Sequence, residues 1–210
     1  AKAWDGKWSL NASYTWAQSY GNTEGLVKSD IAQDDAGITQ DFDFAELMDG
    51  AYGYLPNDRR HTFKAYGAYA LTENFRLGAN FTLSSGRPLN AFGIGHPNGV
   101  PSYGDTFYVC TASCNDGDVT TNEYNQITRG TYGRTDWTPT LDLNATYVTE
   151  WAGTEIEFRA DVYNVLNSSA VQRRNEFAEE NVPGDANEYF MAPTSYQTPR
   201  YVQLSAGIKF

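Results

Sequence analysis

The chain has no long hydrophobic run. No stretch approaches the roughly 18 apolar residues that a membrane-crossing helix requires, and the mean hydropathy is -0.56. This excludes helical spans only, because a barrel strand carries its apolar residues at alternate positions. Histidine is scarce. His61 and His96, even with two cysteines, make a poor zinc ligand set. Positive charge is also short, with Lys+Arg 15 against Asp+Glu 26 and a net charge of -11. Nucleic acid is therefore not an expected partner, since phosphate binding needs a basic surface. There is no G-x-S-x-G, P-loop or H-E-x-x-H motif. Gly93-Ile94-Gly95-His96-Pro97-Asn98-Gly99 misses the dinucleotide spacing. No catalytic residue, cofactor or enzymatic activity is expected. The N-terminus, Ala1 to Gly6, carries no apolar h-region.

Aromatic residues are plentiful instead: Tyr 15, Phe 11 and Trp 5. Much of this content lies in segments of strict alternation, in which successive side chains point to opposite faces of a strand. Six such segments are found, at 7–20, 61–71, 75–84, 140–150, 155–166 and 201–210. In the last, Val202, Leu204, Ala206, Ile208 and Phe210 oppose Tyr201, Gln203, Ser205, Gly207 and Lys209. None of the six apolar faces carries a charge. The opposite faces carry Lys7, Lys64, Arg76, Asp142, Glu157, Arg159, Asp161 and Lys209.

A soluble sandwich would turn its apolar faces inward, and a membrane barrel would turn them to lipid. The connections favour the barrel. Those at 21–59, 85–138 and 167–199 are long, whereas 72–74 and 151–154 are tight. Loops beyond about 12–15 residues are uncommon in compact soluble domains. Short periplasmic turns and long external loops are the habit of outer-membrane barrels. Essentially all the net negative charge lies in the three long connections. Trp4, Trp8, Phe75, Trp151 and Phe210 gather at the end with short turns, and Trp16, Tyr20 and Tyr201 at the other, as aromatic girdles would.

The predicted fold is therefore all-β: an antiparallel transmembrane barrel, of which this chain supplies about six consecutive strands and three long extracellular loops. Both short turns and the C-terminus are placed on the periplasmic side of a bacterial outer membrane. Six strands fall short of the about eight of the smallest single-chain barrels. The edges at 7–20 and 201–210 are thus expected to pair with strands outside this sequence.

Some motifs carry chemistry of their own. Cys110 and Cys114 are read as one local disulfide in an oxidising compartment. Asp116 and Asp118 are the candidate ligands for a loop-bound divalent cation. They lack the spacing and the distal Glu of a calcium loop, so solvated loop acids are the favoured reading. Arg59, Arg60 and His61, with Asp58, form a charge cluster where a strand leaves a loop. Anchoring to nearby loop acids is weighed there against contact with substrate or lipopolysaccharide. Residues 41–49 are read as a short helix closed by Gly50. Glu157, Arg159 and Asp161 are expected to pair with neighbouring strands or a plug.

Particular stretches also resemble a known family. The alternating end, with Val202, Leu204, Ile208 and Phe210, resembles the C-terminal signal read by the outer-membrane barrel assembly machinery. Asn164-Val165-Leu166-Asn167 looks like a stretch found late in TonB-dependent receptors. Residues 55–61 (Leu-Pro-Asn-Asp-Arg-Arg-His), 85–90 (Ser-Gly-Arg-Pro-Leu-Asn) and 137–143 (Trp-Thr-Pro-Thr-Leu-Asp-Leu) are similar to the Oar-like branch of that family. The resemblance implies a barrel of about 22 strands with an N-terminal plug, energised from the inner membrane through TonB. The plug and the remaining strands would lie outside this sequence. The partners it implies are the rest of that barrel, outer-membrane lipid and lipopolysaccharide. The other function consistent with the residues is a structural or adhesive surface barrel without energised transport.

Overall fold

The computed structural model describes residues 1–114 and 118–209. Six long strands dominate it: β1 (Trp8–Trp16), β2 (His61–Ala70), β3 (Phe75–Ser84), β4 (Thr138–Trp151), β5 (Thr154–Tyr163) and β6 (Tyr201–Lys209). They form one sheet in chain order, each strand antiparallel to the next. The sheet is open. Among the described residues β1 and β6 are its two edges.

The registers bring the six apolar faces onto one side. Leu10 lies opposite Gly67, Gly67 opposite Ala79, and Ala79 opposite Leu143. Leu143 lies opposite Val162, and Val162 opposite Val202. A one-residue slip in any pair would have broken this continuity. Among the described residues nothing covers the face. Leu204 keeps 77% of its surface and Val202 61%, and Leu10, Leu77 and Phe158 are likewise exposed. A sheet that had to fold in water alone would not leave such a surface open.

The tight connections have local causes. In the β2–β3 turn, Leu71 and Thr72 donate their amides to the Phe75 carbonyl, and the Thr72 hydroxyl accepts from Phe75 N at 3.0 Å. Between β4 and β5 the turn residues Ala152 and Gly153 both have positive φ, the type I′ pattern that suits the strand twist.

Three strand boundaries differ from expectation. β1 ends at Trp16, and Tyr20 pairs instead with Tyr54 in a separate small ribbon. The chain is drawn away there because Ser19 N donates to Asp58 Oδ1 at 2.7 Å. β5 ends at Tyr163, because Asn164 takes φ +47 and its side-chain amide donates to the carbonyls of Ser168 and Thr198. β4 begins at Thr138, since Pro139 fits opposite Leu83. The helix expected at 41–49 contracts to one turn, Ala45–Met48, followed by Gly50 at φ +83.

The buried core lies in the loops rather than in the sheet. The first (17–60), second (85–137) and third (164–200) loops fold on one another around Ala51, Phe92 and Phe107, with Ile31, Met48 and Phe177 against them. Short ribbons brace this unit: Tyr108–Ala112 with Glu123–Gln126, and Val171–Arg174 with Pro193–Tyr196.

Candidate functional site

A network of buried charge ties the three loops together. Arg129 is its centre and is fully buried. Its guanidinium donates to the Ala51 carbonyl at 2.7 Å, to Asp30 at 3.1 Å and to the Asn22 carbonyl at 3.4 Å, and it lies 3.8 Å from Asp41. Lys28 is 3.5 Å from Asp41. Asn90 donates to both Asp30 and Glu176 and accepts from Gly130 N. Arg87 pairs with Glu176. Gly53 belongs to this packing, since a Cβ there would lie 2.0 Å from the Arg129 carbonyl oxygen.

Removal from water raises the Asp30 carboxyl above the ordinary range, against the opposing pull of Arg129 and Lys28. Burial likewise pushes Glu176 up from 4.5 to about 7, with Arg87 opposing. A carboxyl raised in this way favours the folded loops when it is protonated. Its contribution is complete below pH 4.5 and is lost as pH rises through about 7. Glu176→Gln should therefore flatten the fall in loop stability between pH 4.5 and 7, read by amide exchange at Asn90 and Phe92 across that range. An unchanged slope would remove Glu176 as its cause.

Glu179 is a second buried hub. It accepts from the amides of Ile94 at 2.9 Å, Cys110 at 2.8 Å and Gly184 at 2.8 Å, joining the second loop to the third. Cys110 and Cys114 form a disulfide beside it. The packing there is close, for a Cβ at Gly184 would come 2.1 Å from Cys114 Cβ.

Beneath the loops, against the polar face of β3 and β4, lies a cavity of about 440 Å³. Its wall includes Arg59, Arg87, Arg173, Thr82, Ser84 and Thr140. A neighbouring cavity of about 280 Å³ shares Thr138, Thr140 and Gln172 with it and reaches Gln197, Tyr163 and Tyr201. The rings of Tyr163 and Tyr201 stack at 4.5 Å. Tyr201 thus lines the polar side and does not belong to an aromatic girdle, because its register opposite Tyr163 sets it on that face.

The structure separates the cluster Arg59, Arg60 and His61. Arg59 faces the cavity. Arg60 lies over the ring of Tyr54, 4.7 Å away, and that of Trp16, 5.9 Å away. His61 falls on the apolar side, hydrogen-bonded to the Tyr14 hydroxyl at 2.8 Å and stacked on Trp137. A bend at Arg60, just ahead of β2, parts them, since strand alternation begins only at His61. Asp58 is held by Arg134 and lies 3.7 Å from Arg60. On β5, Arg159 finds its partner within its own strand, binding both oxygens of Asp161.

Among the described residues no group of three or more His, Cys, Asp or Glu is placed to hold a metal ion. Asp118 accepts from the amide and hydroxyl of Thr120. Asp116 lies outside the described residues, as does Phe210. Val202, Leu204 and Ile208 stand on the open apolar face of β6. Arg173 and Gln197 escaped sequence reasoning, having no local motif around them. The one available signal was that basic residues are so few in these acidic loops.

No family model matches the chain, and no solved structure matches it. The TonB-dependent transporter Oar of Myxococcus xanthus is 29% identical to it over 243 aligned positions, which cover 97% of the chain. The chain is similar to a TonB-dependent transporter. It spans about a fifth of that protein's length, 21%. An open antiparallel sheet is what a piece of a barrel would present, and outer-membrane residence fits the similarity.

Proposed function

We propose that this chain forms barrel wall and external loops of a TonB-dependent outer-membrane receptor of the Oar-like kind. The uncovered apolar face, continuous across six meandering strands, carries this reading. In lipid such a face is satisfied, and the polar face then lines a lumen. The packed loops stand at the extracellular end, and the two tight turns and the C-terminus at the periplasmic end. The edges β1 and β6 pair with further strands of the same barrel, and β6 is read by the assembly machinery. Ligand is captured at the loops and upper lumen and passes when a plug is displaced by energy delivered through TonB. The chain itself performs no chemistry on the ligand.

Two measurements test this on the intact protein in cells. Leu26→Cys, in the first loop, should react with a membrane-impermeant maleimide, and Glu73→Cys, in the β2–β3 turn, should not. Cys110 and Cys114 are occupied in a disulfide, and the intact protein without the added cysteine sets the labelling background. Labelling at position 73 alone would reverse the orientation. The intact protein should also bind the periplasmic part of TonB. A protein that inserts in this orientation but never binds TonB would be a structural or adhesive barrel.

A further inference from the structure

We infer that the cavity beneath the loops is an oxyanion site, in which Arg59 and Arg173 grip a carboxylate or phosphate group of a small hydrophilic ligand. The chain is strongly acidic, yet no Asp or Glu is among the residues lining this cavity, whereas three arginines are. The arginines come from separate segments, so they do not form a run of like charge along one strand. Folding has gathered them.

Their partners differ. Arg87 is fully engaged, with Glu176 and with the carbonyls of Gln172 and Pro88. Arg59 donates only to the backbone carbonyls of Pro56 and Asp58, both at 3.2 Å. Among the described residues no carboxylate pairs with Arg59 or Arg173. The nearest candidate, Asp58, is already held by Arg134 and by Ser19 N. The local field is correspondingly positive. Partial burial, Arg87 and Arg134 together make it harder for Arg59 to hold its own charge, and Asp58 opposes them. A guanidinium in a polar pocket with no carboxylate suits an oxyanion that binds through two oxygens at once.

The rest of the wall fits a hydrophilic body. Hydroxyls of Thr82, Ser84, Thr138 and Thr140 line it. In the adjoining cavity the Gln197 amide nitrogen donates to the Pro139 carbonyl at 2.7 Å and to the Thr140 hydroxyl at 3.1 Å. Its carbonyl oxygen Oε1 is buried and has no partner. The ligand would therefore carry its oxyanion toward Arg59 and Arg173 and a hydroxyl-bearing body toward Thr138, Thr140 and the adjoining cavity, which Asp142 and the stacked tyrosines line.

This rests on the reading that the polar face lines a lumen, but its test does not depend on energised transport. The intact protein, purified in detergent, is titrated calorimetrically with citrate and separately with inorganic phosphate. Saturable binding of at least one is expected, and the stronger of the two identifies the preferred oxyanion. Arg59→Gln and Arg173→Gln should each weaken it about tenfold or more, while Arg59→Lys should restore part of the loss. Arg200→Gln, away from the cavity, should change nothing. Should the variants fold poorly, the native protein is treated with phenylglyoxal. The bound anion should then shield Arg59 and Arg173 from modification, as read by peptide mass. Failure of both anions to bind, unchanged affinity in Arg59→Gln and Arg173→Gln, or modification unaffected by ligand would each overturn the site. A protein that binds the anion but not TonB keeps the site and loses the transport reading.

Discussion

Arg129→Met should loosen all three loops together while leaving the six-stranded sheet intact. The substitution keeps most of the side-chain volume and removes the charge. Asp30 and Asp41 would then be buried with too little compensation, and each already has one oxygen without a hydrogen-bond partner, Asp30 Oδ1 and Asp41 Oδ2. Breaking a buried pair from one side typically costs about 3–5 kcal/mol. The loss also includes the bond to the Ala51 carbonyl and the packing of the guanidinium over the Phe107 ring at 5.0 Å. Amide exchange should accelerate about a hundredfold or more at Asn90, Phe92 and Ile127, and little in β3 and β4. Adding Asp30→Asn should recover part of the loss, because it removes the orphaned charge. Exchange unchanged in the single variant would mean that the loops are held by their apolar core alone.

Leu143→Arg is the second large effect. Leu143 sits mid-sheet on the apolar face, opposite Ala79 and Val162. An arginine facing lipid at the bilayer midplane costs roughly 2–4 kcal/mol. The folded fraction in the outer membrane, read from the heat-modifiable gel mobility of barrels, should fall sharply. Asn80→Arg is the matched control, one residue from Ala79 but on the polar side, where Asn80 is exposed. It should insert normally. The reverse pattern would mean that the polar face meets lipid.

The sheet was legible because its signal is periodic and local. Alternation identified the six long strands, their two faces and the two tight turns, since each depends on neighbours within a few positions, whereas the short loop ribbons escaped it. The Cys110–Cys114 bridge was legible for the same reason. Strand ends were less so. Nothing near Trp16 announces that Asp58 will capture the Ser19 amide, and only the structure reveals the positive φ of Asn164. Least legible was the loop assembly. Lys28, Asp30, Arg87, Arg129 and Glu176 meet across long sequence separations with no fixed offset. A contiguous cluster can mislead in the opposite way. Arg59 and His61 are near neighbours in sequence, and the bend at Arg60, just ahead of β2, sends them to opposite sides of the sheet.

The charged hub around Arg129 and Glu176 also has a mechanical consequence. Three loops rooted at different strands share one set of ion pairs, so none can swing outward without straining the other two. They behave less like three independent antennae than like a single plate mounted on the rim. Contact with any one of them would be felt at the roots of the others. A passage opened from below would need to lift that plate as a unit or go around it.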